Sequence, residues 1–86
     1  MAKAGYEPVF AERAAEFLLQ LPRHRQRQVV ALAKQLAAQP HVRSDYSLPD
    51  ESGRPIEHLM IDDYVFAYWL DHAVREMRVV DIDDAT

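Results

Sequence analysis

The sequence contains no cysteine, only two glycines and five prolines, and no long apolar run. The lack of cysteine excludes a disulfide scaffold, a thiolate zinc site and a cysteine nucleophile. No apolar run approaches the roughly 18–20 residues that cross a bilayer, and no apolar stretch follows Lys3, so we expect neither membrane association nor a signal peptide. A cytoplasmic location is therefore predicted.

The chain has 86 residues, the length of one domain, and its charge is divided unevenly. Residues 1–43 hold seven Lys or Arg against three Asp or Glu, whereas residues 44–86 hold three against eleven. A split of this kind bears on partners and solubility rather than on fold. We therefore treat residues 1–86 as one domain with a basic N-terminal half and an acidic C-terminal half.

The N-terminal half has the period of two amphipathic helices. Their apolar stripes consist of Phe10, Ala14, Phe17, Leu18 and Leu21, and of Val29, Leu32, Ala33 and Leu36. Pro22 either ends the first helix or opens the second. The second helix stops near Ala38, because the residue before Pro40 avoids helical backbone angles. The short connection predicts two antiparallel neighbours, a helical hairpin.

After Pro40 the period becomes two, which indicates strands. Four segments have this character: Tyr46–Leu48, Pro55–Ile61, Tyr64–Leu70 and Arg75–Ile82. Short loops, such as Asp62-Asp63, join the last three, so we expect antiparallel pairing. Because Pro8 interrupts Tyr6–Phe10, that segment is predicted to be an edge strand or an extended arm. The fold class is therefore α+β, with an N-terminal helical hairpin packed on a three- to four-stranded antiparallel sheet.

Three stretches carry a resemblance to a known family. They are the hairpin Phe10–Leu36, the segment Asp63-Tyr64-Val65-Phe66-Ala67-Tyr68, and the last strand Met77-Arg78-Val79-Val80-Asp81-Ile82. In this order the chain resembles the RelE/ParE superfamily, the bacterial toxins of type II toxin–antitoxin systems, in which the middle segment reads Gly-Asp-Tyr-Arg-Val-x-Tyr. The resemblance implies the family fold and a part in systems such as those that stabilise plasmids. It also implies a cognate antitoxin that lays a strand or amphipathic helix on the toxin.

The resemblance also implies a target, which is either ribosome-bound mRNA that the toxin cuts or DNA gyrase that it poisons. Members that cut mRNA use a basic cluster to neutralise the scissile phosphate. Here Val65 replaces the arginine after the tyrosine, Asp84-Ala85 replaces a frequent His-Arg pair, and His58 stands where another basic residue is placed. These departures favour a gyrase-type or non-catalytic action, and leave open whether the chain is an enzyme.

His58 is the best candidate for acid–base chemistry, because histidine titrates near neutral pH. Tyr64 and Tyr68 on the neighbouring strand are the candidate hydroxyl donors beside it. The alternative is a half-buried histidine that hydrogen-bonds a carboxylate or a backbone group. We also weigh Phe66, Tyr68 and Trp69 as a base-stacking platform against their use as sheet core, and the core interpretation is favoured in so short a chain.

Five arginines are candidate partner-binding residues: Arg23, Arg25 and Arg27 near the start of the second helix, and Arg54 and Arg78 in the C-terminal half. Bases at a helix N-terminus oppose the macrodipole, which suggests a contact patch for an acidic partner or nucleic acid, with a solvated helix face as the alternative. In an endoribonuclease, Arg54 or Arg78 would hold phosphate. No metal-ligand spacing and no cofactor motif is present, so neither is predicted.

Three hypotheses are compatible with the sequence. The first is a toxin or toxin-like component that binds a protein target, with DNA gyrase or the ribosome as candidates. The second is a ribosome-dependent mRNA endoribonuclease with a substitute active site around His58. The third is a non-toxic domesticated interaction domain. A homo-oligomer is compatible with each of them.

Overall fold

Two helices and five strands follow one another in a computed structural model that describes residues 5–85. In chain order the elements are β1 (Glu7–Phe10), α1 (Glu12–Leu19), α2 (Arg23–Ala38), β2 (Tyr46–Pro49), β3 (Pro55–Ile61), β4 (Tyr64–Asp71) and β5 (Glu76–Asp84). The α+β class is confirmed, and so are the helical and strand segments that the periodicity predicts. Neither helix in the described part of the chain is long and apolar enough to cross a membrane.

The strands form one sheet in the order β1-β5-β4-β3-β2. The expectation of three to four antiparallel strands is therefore wrong in number, since β1 joins the sheet as a fifth strand. It pairs with β5 in parallel, with Pro8 opposite Met77. A strand that contains proline is tolerated there because an edge strand does not need every N–H for pairing. The other three pairings are antiparallel.

The two helices do not form the clear hairpin that the sequence predicts. The eight-residue α1 packs more extensively against β5 than against the sixteen-residue α2. The reason is that β1 ends beside the middle of β5, where the Ala11 N–H donates to the Val79 carbonyl, so α1 starts directly at the β5 edge. Pro22 precedes α2, and its carbonyl accepts the Arg25 and Gln26 N–H groups.

The core lies between the helices and one face of the sheet. Alternate residues of β4 and β5 point into it, together with small residues of the helices; the buried members are Ala14, Val29, Ala33, Leu36, Ala37, Tyr64, Phe66, Tyr68, Met77, Val79 and Ile82. A register shift beside Ala67 and Tyr68 adds one residue to β5. This bulge lets Ile82 follow Val79 on the core side although three positions separate them.

The other face of the sheet carries no helix, and we call it the open face. Strand alternation and the pairing register assign its residues. They are Tyr46 and Leu48 on β2; Ile56, His58 and Met60 on β3; Val65, Ala67, Trp69 and Asp71 on β4; and Glu76, Arg78, Asp81 and Asp83 on β5. Among the altered or candidate sheet positions, His58, Val65, Trp69 and Arg78 therefore lie on the open face, whereas Tyr64, Phe66, Tyr68 and Asp84 do not.

Candidate functional site on the open face

His58 lies near the centre of the open face. It pairs with Tyr46 of β2 on one side and with Ala67 of β4 on the other, and Ala67 in turn pairs with Asp81 of β5. A cleft of about 350 Å³ runs past it, lined in part by Arg13, Ile56 and Asp81. Arg13 reaches this surface because α1 begins at the edge of β5, a placement for which the sequence carries no signal.

The imidazole of His58 is held by two contacts. Its Nδ1 lies 3.0 Å from the Ile56 carbonyl oxygen, and its ring stacks on Tyr46 with centroids 4.6 Å apart and an interplanar angle of 8°. A carbonyl can only accept, so Nδ1 carries the proton and Nε2 is the acceptor in the neutral ring. His58 is therefore the half-buried histidine, hydrogen-bonded to the backbone, that the alternative prediction describes. Nε2 is the ring nitrogen available for proton transfer.

The structure does not bring Tyr64 and Tyr68 to His58. Both tyrosines are buried in the core, on the opposite face of the sheet. The cause is the two-residue reversal after Ile61, which pairs Ile61 with Tyr64 and therefore His58 with Ala67. Burial raises the pKa of Tyr68, with smaller contributions from Glu57 and Asp45. The three residues thus do not form the acid–base group that the sequence suggests.

Tyr64 is instead joined to Arg25. The Arg25 Nε donates to the Tyr64 hydroxyl at 2.8 Å, and the guanidinium also lies 3.8 Å from Asp84. Arg25 therefore connects the first turn of α2 to the first residue of β4 and the last residue of β5. Arg23 and Arg27 are exposed on α2, away from the open face. The predicted patch Arg23–Arg27 is thus split between one arginine with internal partners and two that face solvent.

Arg54 and Arg78 lie on either side of Trp69 on the open face. The Arg54 Cζ is 3.8 Å from the Trp69 ring centroid, and the Arg78 Cζ is 5.8 Å from it. Arg78 also pairs with Glu76 at 2.9 Å and with Asp71 at 3.6 Å. Both cations are therefore engaged by aromatic or acidic neighbours. Phe66 and Tyr68 lie in the core and Trp69 on the opposite face, so the three do not form one stacking platform.

The positions at which the resemblance predicts basic residues hold apolar Val65, acidic Asp84 and His58 in this chain. Val65 lies between Met60 and Asp83. Asp81 is 4.0 Å from the largely exposed Arg13, and its own carboxylate accepts the Ile82 N–H at 2.9 Å. Between residues 5 and 85 no three histidines or carboxylates are grouped so as to hold a metal ion. The open face thus combines apolar side chains and carboxylates around one histidine.

Solved structures of toxin–antitoxin complexes are similar to this chain. A chain of the toxin–antitoxin complex RelBE2 from Mycobacterium tuberculosis superposes with a TM-score of 0.71 at 20% identity, covering 93% of this chain and 98% of that one. A chain of the archaeal RelE–RelB complex from Pyrococcus horikoshii OT3 gives 0.68 at 14% identity, covering 94% and 96%. No protein-family model and no curated protein sequence matches.

These superpositions extend over nearly the whole chain on both sides, so the likeness concerns the complete architecture. The chain has the fold found in these toxin–antitoxin complexes, so the resemblance to the RelE/ParE superfamily that the sequence motifs suggest is confirmed at the level of the fold. At these identities the likeness establishes the fold alone, and the chemistry has to be argued from the open face.

Proposed function

We propose that this chain is a toxin or toxin-like component of a type II toxin–antitoxin pair, which binds a protein target and is neutralised by a cognate antitoxin. The observation that supports it best is the RelE toxin fold combined with an open face from which the expected cations are missing. The similar solved chains come from complexes of a toxin with its antitoxin, which favours an antitoxin partner here. DNA gyrase and the ribosome remain the candidate targets.

The charge of the open face favours protein binding over RNA cleavage. Binding of an RNA backbone depends on Lys and Arg that displace counterions. On this surface Asp81 and Asp83 occupy β5, Arg78 is paired with two carboxylates, and Arg54 covers Trp69. Electrostatic stabilisation of a phosphoryl transition state needs cations aimed at the reacting group, and those described here already have partners.

Inducible expression in a bacterial host is the direct test. The chain alone should arrest growth, and co-expression of the small reading frame next to its gene should restore growth. His58→Ala should arrest growth as strongly as the wild type, because the proposed action does not use acid–base chemistry. Phe66→Asp, which puts a charge into the core, is the matched control and should abolish arrest. Normal growth with the folded wild-type chain would favour the non-toxic interaction domain instead.

Two observations favour an endoribonuclease as the second candidate. The backbone hydrogen bond of His58 uses Nδ1 and leaves Nε2 for a substrate, and Arg13 lines the same cleft. Cleavage of mRNA on purified ribosomes tests this, with wild type compared with His58→Ala and with His24→Ala, an exposed histidine on α2, as the control. A loss of cleavage confined to His58→Ala would support the enzyme. Equal cleavage by all three, or none, would remove His58 from consideration.

A further inference from the structure

A second cleft, of about 470 Å³, lies at the end of the sheet where β3 begins and β4 finishes, and we call it the end cleft. The loop that follows α2, residues 40–42, forms one wall. Glu57 and Tyr68, which are paired across β3 and β4, line its inner end. Both point to the helix-covered side of the sheet, opposite to His58, so the end cleft is separate from the candidate site on the open face.

The carboxylate of Glu57 is held in a fixed orientation at this inner end. The Ser44 hydroxyl donates to its Oε1 at 2.6 Å, and the Ser47 hydroxyl donates to its Oε2 at 3.3 Å. In the part of the chain that the structure describes, no basic side chain forms an ion pair with it. Because a carboxylate oxygen accepts more than one hydrogen bond, both oxygens keep capacity for the donors of a ligand.

The hydroxyl of Tyr68 is the second polar group at the inner end. The residue is only 2% exposed, and no other described residue hydrogen-bonds its hydroxyl. Among the described residues, every fully buried polar atom of a side chain has a partner. The Tyr68 hydroxyl therefore reaches the space of the end cleft. Since buried hydroxyls are nearly always hydrogen-bonded, this one is a contact point for a ligand.

The inner end of the cleft is electrostatically negative. Burial raises the pKa of Tyr68, and the charges of Glu57 and Asp45 raise it further, so both carboxylates act at the hydroxyl. An anionic group would be repelled there, whereas a cation with several N–H donors satisfies the carboxylate and the hydroxyl together. A planar guanidinium matches two fixed carboxylate oxygens better than an ammonium, which acts as a compact point charge.

The outer end of the cleft has the opposite character. Arg54 lies there against Trp69, with its Cζ 3.8 Å from the ring centroid. His72 lines the same end and is held by a hydrogen bond of 2.6 Å between its Nδ1 and the Tyr6 hydroxyl. Arg54 precedes Glu57 by three positions, which is about 10 Å of extended chain at roughly 3.3 Å per residue. The end cleft therefore suits an elongated ligand with a cationic end and an anionic end.

We propose that the end cleft binds a small free guanidino compound with an anionic end, of the kind that arginine represents. The guanidinium donates a pair of hydrogen bonds to the Glu57 carboxylate and a further one to the Tyr68 hydroxyl. The anionic end lies beside Arg54 and His72. This site is additional to the proposed function and does not rest on it, because none of these residues belongs to the open face except Arg54 at its border.

Titration of the full chain with L-arginine, followed by NMR of the backbone amides, tests the proposal. Signals from the end cleft should shift and saturate, and signals around His58 should stay in place. L-Citrulline has the same shape without the charge and should bind at least about tenfold more weakly, because it lacks the charge-assisted pair with Glu57. N-Acetyl-L-arginine amide keeps the guanidinium without an anionic end and should bind about threefold more weakly.

Conservative variants test the role of each contact. Glu57→Gln should weaken L-arginine about tenfold or more, and Tyr68→Phe about threefold, since one loses a charged acceptor and the other a neutral one. Arg54→Gln should weaken L-arginine but not N-acetyl-L-arginine amide, because that probe has no anionic end. The same changes at exposed positions outside the cleft are the controls, and each should leave the affinity within about twofold: Glu51→Gln, Tyr46→Phe and Arg27→Gln.

Four outcomes would overturn the proposal. They are the absence of saturable shifts with L-arginine, equal binding of L-citrulline or L-lysine, equal weakening by the control variants, and equal binding of N-acetyl-L-arginine amide. The last result would assign the cleft to an arginine side chain of a protein partner. A chain that arrests growth but does not bind L-arginine overturns this inference and leaves the proposed function standing. A chain that binds L-arginine without arresting growth does the reverse.

Discussion

The two faces of the sheet are made by the same strands and differ in nearly every physical property. The helix-covered face buries Tyr64, Phe66 and Tyr68, and the only polar atoms among these side chains are two hydroxyls. The open face exposes Tyr46 and Met60 and adds one histidine and several carboxylates. Because successive side chains alternate between faces, neighbouring residues of one strand lie in opposite environments.

Under the proposed function, stability and binding depend on different faces of the sheet. An 86-residue domain has to commit nearly all of one sheet face to its core. Apolar residues on the other face are not required for that core. The following predictions test whether exposed positions such as Tyr46 and Met60 contribute as little to stability as their exposure implies.

The largest expected effect is that of a truncation in the core. Phe66→Ala should destabilise the fold by about 3–5 kcal/mol, because it removes a fully buried ring and leaves a cavity. Met60→Ala, an exposed position on the open face, should change the stability by less than about 0.5 kcal/mol. Urea denaturation followed by circular dichroism measures both. Similar losses for the two variants would contradict the assignment of the faces.

A smaller effect is expected where α2 is joined to the core. Tyr64→Phe removes the acceptor of the Arg25 Nε and should cost about 1–2 kcal/mol, since a hydrogen bond to a charged donor is lost while Asp84 remains nearby. Tyr46→Phe is the matched change on the open face and should be close to neutral.

The same urea denaturation serves here, extended to a double-mutant cycle with Arg25→Met. If Tyr64→Phe destabilises the Arg25→Met background as much as the wild type, the hydroxyl acts without Arg25.

Stability at alkaline pH should report the burial of Tyr68. Burial raises the pKa of Tyr68, so the folded chain keeps this proton after the unfolded chain has lost it. The contribution is complete below the unfolded pKa of about 10 and is lost as the pH rises through the higher folded value.

The free energy of unfolding should therefore fall more steeply above about pH 10 in the wild type than in Tyr68→Phe. Urea denaturation at a series of pH values gives the two profiles. Parallel profiles would show that Tyr68 ionises as freely in the folded chain as in the unfolded one.

Most of the fold follows from local pattern. The strand segments Pro55–Ile61 and Tyr64–Leu70 and the helix that ends near Ala38 lie within a residue or two of the observed elements. The pairing of β1 does not follow, because the parallel partner of Tyr6–Phe10 is about seventy residues away and proline indicates only an edge. The hairpin fails for a similar reason: α1 is placed by β5, a contact distant in sequence.

The face on which His58 lies also follows from the sequence, through the length of one turn. A two-residue reversal at Asp62-Asp63 pairs Ile61 with Tyr64, so even-numbered β3 residues meet odd-numbered β4 residues. His58 therefore shares a face with Val65, Ala67 and Trp69. Tyr64 and Tyr68, the predicted partners, lie on the other face by the same parity. The observed neighbours Arg13 and Tyr46 depend on tertiary contacts that no local pattern reveals.

The smallest expected effect concerns the turn between β2 and β3, at the border of the open face. Asp50 there accepts hydrogen bonds from the Ser52 hydroxyl at 2.7 Å, the Ser52 N–H at 2.8 Å and the Arg54 N–H at 3.0 Å. These bonds lower the pKa of Asp50, and the Ser52 hydroxyl is the largest cause. Ser52→Ala should therefore raise that pKa part of the way back, because both backbone donors remain.

Titration of the Asp50 carboxyl carbon by NMR measures this change, with Ser47→Ala as the control, since Ser47 bonds Glu57 instead. The midpoint of urea denaturation should hardly move, because the turn is exposed and lies outside the core cluster. A variant that lowered global stability as well would show that the border of the open face supports the core. In that case β2 would belong with the face of the sheet that stabilises the fold, in contrast to the rest of the open face.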